Sequence, residues 1–174
     1  HMLQDFRGSL ITDDYSGYKA LFREGAIQEA GCWAHARRKF FEAHKLNQSE
    51  IAKQAVQTIA QLYAIEAEVK DRPEDERLRI RQEKSRPLLD EFKAWLQAMR
   101  QTLFNADVTA KAIDYTLNRW AALCAHLSHA GIGVDNNPAE NAIRPLALGR
   151  KNWLCVSRRR SHENDVVHSF PIQV

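Results

Sequence analysis

The sequence of 174 residues is poor in the features that mark secreted and membrane proteins. It has three cysteines, Cys32, Cys124 and Cys155, which are too few and odd in number for a disulfide framework. We therefore expect reduced thiols and a cytoplasmic protein. No apolar run approaches the roughly 20 residues of a membrane span, and no signal peptide is visible. These absences predict a protein with no membrane partner.

Internal repeats and long low-complexity segments are also missing. A hydrophobic share of 44% is enough for a core, and the length fits one domain, or a small domain with an insertion. The net charge of +3 permits contact with nucleic acid without requiring it. His1-Met2 resembles a cloning remnant. The chain then enters a strand-like run almost at once, as expected of a reading frame that starts inside a larger domain.

The first part of the chain has the pattern of a parallel β-α-β unit. Residues 9–13 (SLITD) and 26–33 (AIQEAGCW) predict two short strands, and residues 15–22 between them predict a short helix. Two strands joined through a helix indicate a parallel crossover. Residues 34–46 predict a further helix, and its basic residues are Arg37, Arg38 and Lys39.

From about residue 48 the apolar residues recur at helical spacing, in three successive runs. Pro73 suits a helix start, and Pro87 is expected to kink or restart the second run. Gly131 and Gly133 are expected to end the third. We interpret residues 48–130 as an all-helical layer of hairpins packed on these apolar stripes.

Residues 135–151 (DNNPAENAIRPLALGRK) begin with a dense group of polar residues at a predicted helix start. Asn137 suits the N-cap, Pro138 the first helical position and Glu140 the third, which is the pattern of a capping box. Glu140 can also pair with Arg144, four residues later. A functional site is the alternative, because six polar residues lie within about three helical turns. They are Asp135, Asn136, Asn137, Glu140, Asn141 and Arg144.

Two acids are candidates for shared chemistry. Asp13 ends a predicted strand and Glu140 begins a predicted late helix. Carboxylates delivered in this way can share divalent metals, because Mg²⁺ prefers hard oxygen ligands. The spacing alone does not distinguish this site from a solvent-facing turn at Asp13-Asp14.

Three motifs give the sequence a resemblance to a known family: ITDDYSGYKAL (11–21), GCWAHARRKFFEA (31–43) and VDNNPAENAIRPLALGRKNWL (134–154). In this order they resemble the successive motifs of the transposases of insertion-sequence family 66, a family of the DDE class with an RNase H-like core. The resemblance covers about residues 9–154. It implies a mainly α fold with a small β remnant (α+β), in which the helical insertion interrupts a partial RNase H-like core.

The resemblance also implies roles for individual residues. The catalytic second Asp of the family stands in a T-D-G-Y element, which matches residues 12–15 and gives that role to Asp13, with Asp14 in place of the Gly. The third acid stands in the DNNPAE element, where it matches Glu140. Both would hold Mg²⁺ or Mn²⁺ while the intact enzyme cuts and joins DNA strands. Supporting positions would be Asp14, His35, Asn136, Asn137 and Arg144. DNA contacts would come from Arg37, Arg38, Lys39, Arg150 and Lys151.

The sequence departs from the family pattern at both ends. The first catalytic Asp is expected on an earlier strand, since Asp5 is too close to Asp13 to be that residue. After residue 157 the chain does not resemble the family and suggests a shifted reading frame. We expect an incomplete transposase that is inactive alone and self-associates to cover an open sheet edge. The expected divisions are a partial core (1–47), the helical insertion (48–130), the core helix with the Glu (131–157) and a divergent, flexible tail (158–174).

Two alternatives remain beside this interpretation. The chain could be a non-catalytic helical DNA-binding or protein-interaction module, in which the acids serve only as caps. Cys32, His35, His126 and His129 have a ligand count suitable for zinc. We do not expect zinc, because a C-x₂-H/H-x₂-H arrangement is unusual. The simpler expectation is that Cys32 belongs to the core with the tryptophans, and that His35 lies near the acids.

Overall fold

The computed structural model describes residues 8–12 and 27–135. The chain divides into two compact units, residues 1–138 and 139–174, and every described residue belongs to the first. The predicted helix at 15–22, the helix of Glu140 and the strand proposed at 151–157 lie outside the described residues.

The two predicted strands are present and pair in parallel. Strand β1 is Gly8–Thr12 and strand β2 is Ile27–Gly31. Their register runs from Gly8 opposite Ile27 to Thr12 opposite Gly31. The predicted parallel arrangement is therefore confirmed, and both strands end at the same edge of the sheet.

The rest of the described chain is helical, as the apolar spacing predicted. The helices are α1 (Trp33–Asn47), α2 (Glu50–Val69), α3 (Glu74–Ile80), a π-helical segment (Arg81–Ser85), α4 (Arg86–Arg100), α5 (Val108–Asn118), α6 (Trp120–Leu123) and a 3₁₀ turn (Ala125–Leu127). The mainly α class is confirmed.

Capping residues set several of these boundaries. The Ser49 hydroxyl accepts a hydrogen bond from the backbone N–H of Ala52 at 3.2 Å and begins α2. The Asp107 carboxylate accepts one from the N–H of Thr109 at 2.6 Å and begins α5. Pro73 stands immediately before α3, which confirms it as a helix start.

Pro87 restarts the helix, and the π-helical segment precedes the restart directly. Proline has no N–H, and in an α-helix its ring would clash with the carbonyl four residues earlier, here that of Glu83. Glu83 lies inside the π-helical segment, where the hydrogen bonds span five residues instead of four. The helix therefore continues past the proline by widening one turn.

The core forms where α1, α2, α4 and α5 face one another. Its centre is an aromatic cluster in which Trp33 contacts Trp120 edge to face, with ring centroids 5.8 Å apart, and Phe92 at 6.3 Å. Trp95 is half-buried and stacks on Phe92 at 6.0 Å. The expected core roles of Cys32 and Trp33 are confirmed, since both are buried.

Gly31 is required by close packing at the end of β2. A Cβ atom added there would lie 3.0 Å from the backbone nitrogen and from Cδ2 of Leu123 in α6. We expect Gly31→Ala to lower the free energy of unfolding by about 1–3 kcal/mol, because this backbone cannot yield easily. Urea unfolding monitored by circular dichroism measures the loss.

Gly131→Ala is the matched control for this prediction. Its added Cβ meets no atom within 4 Å, so it is expected to change stability by less than about 1 kcal/mol. Equal losses in the two variants would contradict the packing explanation for Gly31.

Candidate functional site

The carboxyl edge of the two-stranded sheet brings together the ends of three sequence motifs. Thr12, the last residue of β1, is paired with Gly31, the last residue of β2. Two residues later, the backbone N–H of Trp33 donates to the carbonyl of Val134 at 2.8 Å. Residues that adjoin Asp13 in the sequence and residues that lead into DNNPAE therefore meet at the start of α1.

Trp33 fixes the middle motif at this edge. Its side chain is fully buried, and its indole Nε1–H donates to the carbonyl of Leu123 at 2.9 Å. Because Gly31 also packs against Leu123, both ends of the GCW tripeptide contact the same residue of α6. The backbone of residues 31–33 is thus held in place where β2 ends and α1 begins.

A buried arginine holds residues 126–130, the segment that leads into the third motif. Arg81, in the π-helical segment, donates through Nη1 to the carbonyls of His126 at 2.8 Å and His129 at 3.2 Å. Its Nε and Nη2 atoms bind the Glu66 carboxylate of α2 at 2.8 and 2.6 Å. Only 3% of the Arg81 side chain and 12% of the Glu66 side chain are exposed, so solvent weakens this ion pair little.

Two neighbours of Arg81 hold the same segment. Arg77 donates through Nη1 to the carbonyl of Ala130 at 2.8 Å, and Gln82 donates to that of Leu127 at 2.7 Å. Only a short 3₁₀ turn is present here, so the carbonyls of His126, Leu127 and Ala130 receive hydrogen bonds from these side chains. The helical layer therefore positions the chain just before Val134.

Asp135 faces α2 through Tyr63. Burial, and then the interaction of its hydroxyl with the Asp135 carboxylate, raise the pKa of Tyr63 well above its ordinary value. The positive charge of Arg37 acts on the same hydroxyl in the opposite direction. Asp135, which opens the DNNPAE element, lines one cavity with Tyr63 and Glu66 and so lies beside α2.

The described candidate residues are His35, Arg37, Arg38 and Lys39, all on α1. His35 lies in the first turn of α1, where its backbone N–H donates to the carbonyl of Cys32 at 3.2 Å. Arg37 and Arg38 are exposed on the side of α1 that faces α2. Lys39 lies on the other side, with Nζ 4.5 Å from the centroid of the Tyr115 ring in α5. The three basic residues therefore do not share one groove.

The other candidates lie outside the described residues, and their roles stay predictions. They are Asp13, Asp14, Asn136, Asn137, Glu140, Arg144, Arg150 and Lys151.

The four candidate zinc ligands do not form a metal site. Among residues 8–12 and 27–135, no group of three or more His, Cys, Asp or Glu side chains could hold a metal ion. His126 is buried, and its Nδ1–H donates to the Leu123 carbonyl at 2.9 Å. Burial lowers the pKa of His126 to about 4, so the imidazole stays neutral and serves the packing.

A groove of about 540 Å³ lies between α1 and α2. Its lining residues are Ala34, Arg37, Arg38, Phe41, Ala60 and Tyr63. Neither Phe41 nor Tyr63 was among the site residues predicted from the sequence. Helical spacing could have indicated Phe41. It stands four residues after Arg37 and three after Arg38, so it lies on the same helix face as the two arginines.

Comparison with known proteins identifies the family. Residues 1–164 match the IS66 family of transposases, and the chain belongs to that family. It is 35% identical to the uncharacterized protein y4hP of Sinorhizobium fredii, over 95% of this chain and 33% of the relative. The uncharacterized proteins y4jD and y4qI of the same organism are 36% and 38% identical, over 95% and 87% of this chain and 34% and 30% of their own lengths.

The chain spans about a third of the length of these curated relatives. No solved structure matches it. Within the described part of the chain, no helix has both the length and the apolar character needed to cross a membrane.

Proposed function

We propose that this chain supplies two of the three catalytic acids of a DDE transposase, Asp13 and Glu140, for DNA strand cleavage and transfer. The observation that supports this most is the meeting of the three motifs at one sheet edge. Thr12 is paired with Gly31, and Trp33 is hydrogen-bonded to Val134. The edge beyond the carboxyl ends of parallel strands is where open α/β sheets generally place their ligands.

The donor set of this proposal suits Mg²⁺ or Mn²⁺, because both acids offer hard carboxylate oxygens. When bound, such metals polarise a phosphodiester and activate a water or a 3′-hydroxyl. The described residues contribute rigidity. Trp33 anchors the start of α1, and Arg81 holds the segment before Val134, so that the described ends of the three motifs keep a fixed arrangement.

In this proposal, different parts of the chain have different roles. Residues 1–47 and 131–157 belong to an RNase H-like core, and residues 48–130 form its helical insertion. The first catalytic Asp comes from a strand that precedes Asp13 in the family pattern, so residues 1–174 do not cut DNA alone. DNA is the partner, and copies of the chain associate through the sheet edge.

Manganese binding tests the role of the two acids. We expect the unchanged chain to bind Mn²⁺, and both Asp13→Asn and Glu140→Gln to weaken that binding at least about tenfold, because each removes a charged ligand. Electron paramagnetic resonance of free Mn²⁺ during titration measures the affinity.

Asp75→Asn is the control, since Asp75 is an exposed acid in the first turn of α3. It is expected to leave Mn²⁺ binding unchanged. Equal affinity in all four proteins would contradict the proposed metal site.

A further inference from the structure

We propose that the groove between α1 and α2 binds a single-stranded stretch of DNA beside the reacting site. In this assignment Arg37 and Arg38 contact backbone phosphates, and Phe41 stacks on an unpaired base. The inference rests on the proposed function, because it names the form of DNA that the site takes and the path by which the strand reaches it.

The two arginines of the groove differ from the other arginines of the described chain. Both are exposed, and neither forms an ion pair or a hydrogen bond with a described residue. Every other arginine in residues 27–135 has such a partner. Those arginines are Arg72, Arg77, Arg79, Arg81, Arg86, Arg100 and Arg119.

Lys45 adds a further exposed cation two turns along α1 from Arg38, on the same face. Glu42, four residues after Arg38, is the one acid of α1 between these cations, so this face of the helix lacks counter-charge for two of the three. A phosphate backbone supplies that counter-charge, and a guanidinium can bind phosphate oxygens through two hydrogen bonds.

Phe41 provides the aromatic surface that such a strand needs. Its side chain is 53% exposed, although it belongs to a helix whose other Phe, Phe40, is fully buried. Ala34 and Ala60 are small and leave space beside the ring. The groove volume of about 540 Å³ falls within the range of roughly 300–1,000 Å³ that is typical of ligand sites.

An exposed ring beside guanidinium groups favours unpaired DNA over a duplex. Stacking needs a free base face, which a base inside a duplex does not offer. Alternating aromatic and basic side chains are the usual surface for single strands.

The position of the groove links it to the candidate site. Tyr63 lines the groove, and it also lines a neighbouring cavity together with Asp135, the residue that opens the DNNPAE element. A strand lying along Arg38 and Arg37 is thereby directed toward the sheet edge. Lys39 takes no part, because it lies above Tyr115 on the opposite side of α1.

Fluorescence anisotropy tests the groove with a labelled oligonucleotide of about a dozen bases, as a single strand and as a duplex, in EDTA. The unchanged chain is expected to bind the single strand more tightly. Arg37→Ala/Arg38→Ala is expected to weaken this binding at least about tenfold. It should also reduce the slope of log affinity against log salt by about 1.4, or roughly 0.7 for each lost phosphate contact.

Phe41→Ala separates stacking from charge. It is expected to weaken single-strand binding about 5- to 100-fold, as loss of one stacked base does. It should leave the salt slope and duplex binding nearly unchanged. A Phe41→Tyr variant should restore single-strand binding, since it keeps the ring.

Two matched controls stand elsewhere on the chain. Arg79→Ala removes an exposed arginine of α3, and Phe104→Ala removes a phenylalanine that is 88% exposed between α4 and α5. Both are expected to bind like the unchanged chain. The proposal is overturned if the controls weaken binding as much as the groove variants do, if duplex is preferred, or if Phe41→Ala binds normally.

The use of EDTA keeps this result separate from the proposed catalytic role. Loss of DNA binding in the groove variants says nothing about Mn²⁺, and the Mn²⁺ titration of Asp13→Asn and Glu140→Gln needs no DNA. If DNA binding in the groove is not found while Mn²⁺ binding is, or the reverse, the two experiments show which of the two proposals is wrong. Unchanged helical circular dichroism in the groove variants shows that they fold.

Discussion

Arg81→Ala is expected to lower the free energy of unfolding by about 3–5 kcal/mol, the usual result of breaking a buried ion pair from one side. The substitution leaves the Glu66 carboxylate with little access to water, since its side chain is 12% exposed. It also removes the Arg81 donor from the His126 carbonyl, and one of two donors from the His129 carbonyl, which keeps the N–H of Ile132. Unpaired buried acceptors add to the loss. Urea unfolding monitored by circular dichroism measures the change.

Arg79→Ala is the control for this prediction. Arg79 is 60% exposed and binds Glu83 at 2.9 Å on the helix surface, so its removal should cost less than about 1 kcal/mol. The double variant Arg81→Met/Glu66→Leu is expected to recover part of the loss, because it leaves no unpaired charge. If Arg81→Ala lowers the free energy of unfolding by less than about 1 kcal/mol, Arg81 does not hold residues 126–130 in place.

Trp33→Ala is expected to have the second large effect, about 3–5 kcal/mol of the free energy of unfolding. The indole is fully buried and contacts Phe92 and Trp120, so its removal leaves a large cavity in the aromatic cluster. It also removes the indole donor of the Leu123 carbonyl, which keeps its hydrogen bond from Nδ1 of His126. Chemical unfolding followed by circular dichroism measures this loss as well.

Two further substitutions separate the contributions of Trp33. Trp33→Phe keeps most of the ring volume and loses the N–H, so a smaller loss of about 1–3 kcal/mol is expected. Trp95→Ala removes a half-buried ring that stacks on Phe92 and should cost less than Trp33→Ala. Equal losses for Trp33→Ala and Trp95→Ala would show that the sheet edge does not depend on Trp33.

Local patterns in the sequence predicted most of the secondary structure. The apolar spacing predicted the helical layer, the short apolar runs predicted β1 and β2, and Pro73 marked a helix start. These features depend on neighbours within a few residues, which is why a single sequence contains them. Pro87 predicted a restart of the helix, although not its form as a π-helical segment.

The buried ion pair and hydrogen bonds of Arg81 could not be predicted in the same way. Arg81 stands in the charged run 79–86, RIRQEKSR, where each basic residue looks like an exposed surface group. Its carboxylate partner is 15 residues away, and its carbonyl partners are 45 to 49 residues away. Only tertiary packing decides which arginine of such a run is buried.

The candidate site was predictable in part. The order of the three motifs indicated that their residues act together, and the described ends of those motifs do meet at one edge. The run Arg37-Arg38-Lys39 suggested one basic cluster. Successive residues of a helix point about 100° apart, so Lys39 faces α5 while Arg37 and Arg38 face α2.

The hydrogen bond between Trp33 and Val134 has a consequence for how this family can change over time. It joins two residues that are about a hundred positions apart, so the chain between them forms a closed loop. Closing an unstructured loop of that length would cost on the order of 4 kcal/mol of chain entropy. Helix packing offsets that cost, and each doubling of loop length adds only about 0.6 kcal/mol. Hairpins between the two residues can therefore be lengthened, trimmed or exchanged by evolution while the sheet edge keeps its shape.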